Sequence, residues 1–264
     1  MAQITSEGKC LFCSKLFKKA GITRHLNTHL VEKIKDNKPG KSFHVRIDPN
    51  PRWGSSPYFL NLWVDGNTLL EHIDIFLRNI WLECCGHMSA FTNPALRKPF
   101  GGAGMFDLFE AQELLMQGKM RAYENMMEET NGEVPKSKKV KDILYNGLKL
   151  EYEYDFGSST DLLLTVAAEY PVRADEPIVL LSRNEPLKMM CDVCHVHPAN
   201  TICAICMGEE ENLFCNTCAE KHAETCSDFA DYARMPVVNS PRMGVCAYEG
   251  GTIDTERDGV FNKK

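Results

Sequence analysis

The chain lacks any apolar run approaching the roughly 18 residues a helix needs to cross a bilayer, which argues against a membrane-spanning protein. Its opening residues, MAQITSEGKC, lack the charged-then-apolar pattern of a secretory signal, so a cytoplasmic, reducing setting is expected. In that setting paired cysteines are more often metal ligands than disulfides. No phosphate-binding loop is recognisable. The glycine-rich stretch FGGAGMF at 100–106 has no Lys-Ser/Thr after it and no strand before it, and reads as a flexible loop. Asp155-Phe156-Gly157 matches a kinase triplet, but the glycine-rich loop with its strand lysine and the His-Arg-Asp element are missing. The triplet therefore reads as a hairpin turn. Carboxylates are abundant, yet none forms a diagnostic pair. What remains is an ordinary globular mix, 44% hydrophobic and 25% charged over 264 residues, sized for one or two domains.

What the chain does have is cysteine, very unevenly placed. Seven of the twelve lie between Cys191 and Cys226, in CDVCHVHPANTICAICMGEEENLFCNTCAEKHAETC. Cys191-x2-Cys194, Cys203-x2-Cys206, Cys215-x2-Cys218 and His222-x3-Cys226 make four ligand pairs at nearly even intervals. Zinc takes four tetrahedral sulfur or nitrogen ligands in closed structural sites. Eight ligands fill two such sites and leave no open position for a substrate. The segment has few large apolar residues, so metal would replace a core. A cross-brace is expected: Cys191, Cys194, Cys215 and Cys218 on one zinc, Cys203, Cys206, His222 and Cys226 on the other. A rival set would use His195 or His197 and free Cys226, but both histidines crowd Cys194 and break the regular spacing. A redox reading of the CxxC pairs lacks the βαβ surroundings it needs. The ligand order resembles a B-box, whose FCxxCxxxH ending corresponds to FCNTCAEKH here, and the resemblance is confined to these residues.

The N-terminus carries a second pattern, Cys10-x2-Cys13-x11-His25-x3-His29, which resembles a C2H2 zinc finger. Histidines four apart share one helix face, and Phe17 and Ile22 stand where that family has its core residues. The loop between them is one residue shorter than usual. With the cross-brace, the expected content is three zinc ions per chain. Charge is divided in the same way as cysteine. From Lys9 to Arg46 ten Lys/Arg face two acids, a net of +8, while the chain as a whole carries −6. From Cys191 to Cys226 six acids face Lys221 alone, a net of −5. Contact with DNA or RNA is therefore expected only through residues 1–46, by Lys15, Lys18, Lys19 and Arg24. A purely structural finger with a solvated basic face stands beside that reading. The acidic 190–228 segment repels phosphate and fits a protein partner better.

Between these modules lies the body. SFHVRI and YFLNLWV read as strands. Leu69, Leu70, Ile73, Phe76, Leu77, Ile80 and Trp81 recur at helical spacing, with Thr68 and Glu71 as a capping box and Gly86 as the stop. FEAQELLMQGKMRAYENMMEE reads as a helix weakened by Gly118, TNGEVPKSKK as a loop and VKDIL as a short helix. KLEYEYDFGSSTDLLLTVAAEY reads as two strands about a turn at 155–160, and EPIVLLSRNEP as a third. The fold class is α+β: a mixed or antiparallel sheet with one amphipathic helix packed on it, plus two small zinc-stabilised modules. The expected organisation is 1–40 for finger and basic linker, 41–189 completed by 229–264 for the body, and 190–228 for the double-zinc insertion. TLLEHIDIFLRNIW…GHMSAF followed by VKDILYNGLKLEYEYDFGSSTDLLLTV, and later ARMPVVNSPRMGVCAYEGG, resembles the plasmid pRiA4b ORF-3-like family of transposon-passenger proteins over about residues 42–183 and near the end. That resemblance implies a fold and a bacterial, mobile-element setting, and no reaction. The family's GDSW is here Gly157-Ser158-Ser159-Thr160, and its second histidine position is Ala90.

Cys84, Cys85 and His87 are the strongest nucleophile or metal candidates in the body. Cysteine at the end of an apolar helix, however, usually packs as a small hydrophobe. Cys246 reads as a buried or spare thiol, and His44 and His72 have less support. The resulting expectation is a non-enzymatic, zinc-stabilised adaptor. The alternative is an enzyme with a pocket near His87 and Asp155.

Overall fold

The computed structural model describes residues 6–97, 103–209 and 211–258. Its centre is a six-stranded antiparallel sheet. The chain enters by two short strands, β1 (Glu7–Lys9) and β2 (Leu16–Lys18), and helix α1 (Lys19–Lys33). The central sheet follows as β3 (Pro39–Pro49), β4 (Leu60–Asp65), β5 (Ser89–Thr92), β6 (Lys149–Tyr154), β7 (Thr160–Val172) and β8 (Ile178–Arg183), in the spatial order β5-β6-β7-β3-β4-β8. The α+β class and the strands read from period-2 patterns are all present. YFLNLWV is apolar on both sides of the strand, apart from Asn61, because β4 is buried on both faces.

The two faces have different covers. Phe43, Val45 and Ile47 of β3, Leu60, Leu62 and Val64 of β4 and Leu162, Leu164 and Val166 of β7 share a core with helix α2 (Leu70–Leu77) through Leu70, Ile73 and Leu77. On the opposite face Phe59, Trp63, Tyr170, Val172 and Leu181 meet Cys10, Ile22, Leu26 and Leu30. The N-terminal unit is thus a third layer of the body, with Ile22, Leu26 and Leu30 of α1 fully buried.

Several expectations need correcting. The helical run does not continue to Gly86: α2 ends at Leu77, a π turn covers Arg78–Leu82, and Glu83 is already extended. The π turn frees carbonyls that the C-terminal segment takes up. Asn79 O accepts the Thr252 N–H (2.7 Å) and Trp81 O accepts the Ser240 hydroxyl (2.7 Å). Gly251 permits that approach, since a Cβ there would lie 2.6 Å from Ile80 O. The capping box is not formed. Leu69 holds the N-cap position, and Thr68 instead donates to Pro177 O (3.0 Å). We predict that Glu71→Ala, at an exposed site, changes stability by less than about 0.5 kcal/mol. A capping glutamate would cost about 1 kcal/mol, and chemical denaturation separates the two.

The next helical stretch breaks at Gly118 (φ +67°) into α3 (Ala103–Met116) and α4 (Met120–Asn131). Of the loop expected at 100–106, residues 100–102 lie outside the described residues and 103–106 begin α3. Beyond β8, strands β9 (Thr201–Cys203), β10 (Leu213–Phe214) and β11 (Arg234–Pro236) form a small antiparallel sheet in the order β10-β9-β11, with α5 (Asn216–Ala223) beside it. No described helix is long and apolar enough to cross a membrane.

Candidate metal centres

All twelve cysteines are free, and all twelve fall into four groups of four ligands. In each group the ligand atoms lie within 4.8 Å of one another. A tetrahedral zinc, with Zn–S about 2.3 Å and Zn–N about 2.0–2.1 Å, spaces its ligands about 3.8 Å (S···S) and about 3.5 Å (S···N) apart.

The first group is Cys10, Cys13, His25 and His29. The cysteines sit in the turn between β1 and β2, where Ser14 takes φ +62°, and the histidines lie one turn apart on α1. Cys13 Sγ is 3.2 Å from His25 Nε2, which is 3.3 Å from His29 Nε2. Phe17 stacks on His25 at 3.9 Å, and burial together with the His29 charge pulls the His25 pKa down, favouring the neutral imidazole a metal needs. The shorter loop is met by a direct junction: helix α1 starts immediately after β2.

The second group is Cys191, Cys194, Cys215 and Cys218, and the third is Cys203, Cys206, His222 and Cys226. Ligands alternate along the chain between the two groups, as a cross-brace requires. Cys194 Sγ lies 3.9 Å from Cys215 Sγ, and Cys206 Sγ lies 3.7 Å from His222 Nε2. His197 approaches Cys194 (Nδ1···Sγ 3.8 Å) from outside the set, and His195 is an exposed residue at φ +54° directly after Cys194. The backbone N–H groups of His197 and Val196, then the His197 ring, pull the Cys194 thiol down to about 5. Burial first, and then neighbouring thiols, push Cys206 and Cys218 up to about 12. Around these ligands the core is small: Phe214, Ala219, Phe229 and Ala233, with His222 stacked on Phe214 at 4.3 Å.

The fourth group, Cys84, Cys85, His87 and Cys246, was not assembled from sequence. Cys84 and Cys85 lie past the end of the helical run, and Cys85 is exposed, so the buried-hydrophobe expectation fails there. Cys246 is not buried: it is a free, exposed thiol whose Sγ lies 3.2 Å from His87 Nε2. The sequence separation of 159 residues between His87 and Cys246 hid this group.

His87 and Asp155 do converge, at 3.6 Å. Arg242, fully buried, donates to Asp155 Oδ2 (2.6 Å), to the Thr160 hydroxyl (3.0 Å) and to Ser158 O (3.0 Å). That hydrogen bond from Arg242 holds the Asp155 carboxyl below its usual range. Asp155 also accepts the N–H groups of Gly157 and Ser158, so the Asp-Phe-Gly triplet is a hairpin turn with its aspartate locked. A related polar cluster positions the end of α2. Asp74 accepts from Ser89 (2.6 Å), Tyr152 (2.7 Å) and Arg78 (3.1 Å). Burial opposes its ionisation, but those hydrogen bonds and the charges of Lys136 and Arg78 outweigh it and hold the pKa low. An aspartate inside an apolar helix stripe, four residues before an arginine, was the sequence signal for this cluster. A cavity of about 270 Å3 is lined by Asp65, His72 and Arg173, and a more polar one of about 250 Å3 by Arg52, Trp53 and Glu151. Neither is lined by His87 or Asp155. His44 is a buried histidine bonded to Asn61 (2.9 Å), its pKa lowered to about 4 by burial.

The basic residues divide. Lys15, Lys18 and Arg24 are exposed. Lys19 is not available to a partner as expected: its ammonium pairs with Asp48 (2.9 Å) and donates to Ser56 O and Tyr58 O. In the acidic segment, Asp192 accepts the N–H groups of Asn212 and Leu213, and Glu220 pairs with Arg234. Glu209, Glu211 and Glu224 are exposed.

No family model matches this chain, and no curated protein matches it. Among solved structures it is similar to that of a protein of unknown function, MM3350, from Methanosarcina mazei Go1. The two are 14% identical, with a TM-score of 0.34, over 54% of this chain and 67% of that one. A likeness that distant carries no argument about function.

Proposed function

We propose that this is a zinc-stabilised recognition protein without catalytic activity, binding protein partners through its acidic double-zinc segment and nucleic acid weakly through its N-terminal unit. The observation that carries this reading is that each Cys/His group is complete. Four soft protein ligands leave a zinc ion no open position, and closed sites hold structure rather than activate water. Three zinc ions, in the N-terminal and cross-brace groups, belong to this reading.

Support for a protein partner comes from the knuckles of the double-zinc segment. Val193 and Val196 near one CxxC pair and Ile205 and Met207 near the next are exposed, beside Glu209 and Glu211. Apolar residues within an acidic surround suit a protein surface better than a phosphate backbone. On the N-terminal unit, α1 spends its apolar face on the sheet, so a helix lying deep in a groove is a poor fit. Lys15, Lys18 and Arg24 remain for phosphate contact. The alternative of an enzyme at His87 and Asp155 rests on their approach alone, and both side chains already have partners. The bacterial, mobile-element setting and the pRiA4b ORF-3-like family stay part of the proposal on the sequence motifs.

The test is a titration of a short fluorescent DNA duplex followed by anisotropy. At low salt we expect a dissociation constant on the order of 10 μM, weakening steeply with salt, and lost in the Lys15→Glu, Lys18→Glu, Arg24→Glu triple variant. Tight binding that survives high salt, or binding unchanged in the triple variant, would mean recognition lies on another surface.

A further inference from the structure

We infer that Cys84, Cys85, His87 and Cys246 form a fourth zinc site, which ties the C-terminal segment to the end of the helical run of the body. The ligand inventory points there first. Once the N-terminal pair and the seven cysteines of the cross-brace are assigned, three cysteines are left in the whole chain, and all three are in this group with one histidine. Chance placement of leftover thiols would scatter them, yet Cys246 comes from a segment more than 150 residues away.

The local backbone is built as at the other sites. In two of the other groups the residue directly after the second cysteine of the pair takes a positive φ: Ser14 after Cys13 and His195 after Cys194. Here Gly86, at φ +72°, follows Cys85. On the opposite side Cys246 and Ala247 both take positive φ, +49° and +54°. Two consecutive non-glycine residues in that region are strained and persist only where something holds them. A metal–sulfur bond to Cys246 supplies that hold.

Electrostatics complete the case. Three thiolates and a neutral imidazole around Zn2+ carry a net charge of −1. The fully buried Arg242 guanidinium lies 3.5 Å from Cys84 Sγ and between that sulfur and Asp155. It is placed to balance the site and to donate to a thiolate, the usual work of groups behind metal ligands. Its position also explains why an arginine is kept in the core beside a group of cysteines. All four positions are protein side chains, so the site is structural. Its solvent-facing ligands, Cys85 and Cys246, make it the most accessible of the four.

The experiment uses the full-length wild-type protein. Cysteines are alkylated with iodoacetamide, with and without prior treatment with a chelator, and each is followed by peptide mass spectrometry. Exposed Cys85 and its partners Cys84 and Cys246 should be protected until the chelator is added. Alkylation of Cys85 at the same rate in both conditions overturns the proposal, as does a mapped disulfide among these three cysteines. Protection at the other nine cysteines is scored separately, so failure here is distinct from failure of the other three sites. In variants, His87→Phe should lose one zinc by native mass spectrometry while His87→Cys, which restores a fourth ligand, should keep it. In cobalt-loaded protein, His87→Phe with Cys85→Ser and Cys246→Ser should lose the share of thiolate charge-transfer absorbance owed to three of the twelve cysteines. Equal metal content and equal absorbance in all of these chains would overturn the site.

Discussion

Replacing Cys203 with serine is expected to unfold the double-zinc segment while the six-stranded body keeps its structure. Beyond its ligands the segment has two small apolar clusters. Phe214, Phe229 and two alanines lie about the ligands, and Ala199, Ile202, Met235 and Val237 pack on the small sheet, each large side chain contributing only about 1.5–3 kcal/mol. Zinc bound to a structural site of this kind contributes about 10–16 kcal/mol. Cys203 is also the last residue of β9, which pairs with both β10 and β11, so the loss spreads through the small sheet. The body does not depend on that metal, since the core beneath α2 and the core beneath α1 are filled by its own strands and helices. Hydrogen exchange should show protection lost across residues 191–236 and kept in β3, β4 and β7. A chelator should reproduce that pattern and additionally loosen α1. Protection kept throughout the segment in Cys203→Ser would show that the metal is not what holds it.

The second large effect lies at Arg183, at the end of β8. Its side chain is fully buried, paired with buried Asp258 (2.7 Å) and with Asp254 (3.3 Å), and it donates to Asn239 O (2.5 Å). Arg183→Met leaves Asp258 charged and uncompensated in the interior, at a cost of about 3–5 kcal/mol. Asp258 also accepts the Gly251 N–H (2.6 Å), so it holds the loop that runs against the π turn. Asp258→Asn combined with Arg183→Met should recover most of the loss, because no lone charge remains buried. Denaturation of the two single variants and the double variant measures this as a coupling energy. Additive losses would mean the pair does not hold the C-terminal segment in place.

These two sites show how differently parts of the molecule could be read from sequence. The cross-brace ligands are close in sequence and regularly spaced, so pair spacing alone grouped them as the structure does. Five of the six strands of the body were legible from alternation or apolar runs, while the four-residue β5 was too short to show a pattern. Cys246 and His87 gave no such signal, because no local period connects residues that far apart, and nothing in the sequence marks Arg183 and Arg242 as buried. Lys19 was misjudged for a related reason: a basic run says nothing about which member turns inward to Asp48. Helix α1 looked like part of an independent finger, since the apolar side that a finger would show its own hairpin is the side the sheet buries. The end of α2 was misplaced because a π turn depends on partners for its freed carbonyls, here Thr252 and Ser240, which no helical pattern reveals.

The central claim is that metal at fully liganded Cys/His centres organises this chain. Zinc per chain, counted by native mass spectrometry on full-length protein purified under reducing conditions and checked by elemental analysis, tests it most directly. The account predicts four, one for each of the four groups. One zinc or none, with the cysteines mapped into disulfides, would contradict it.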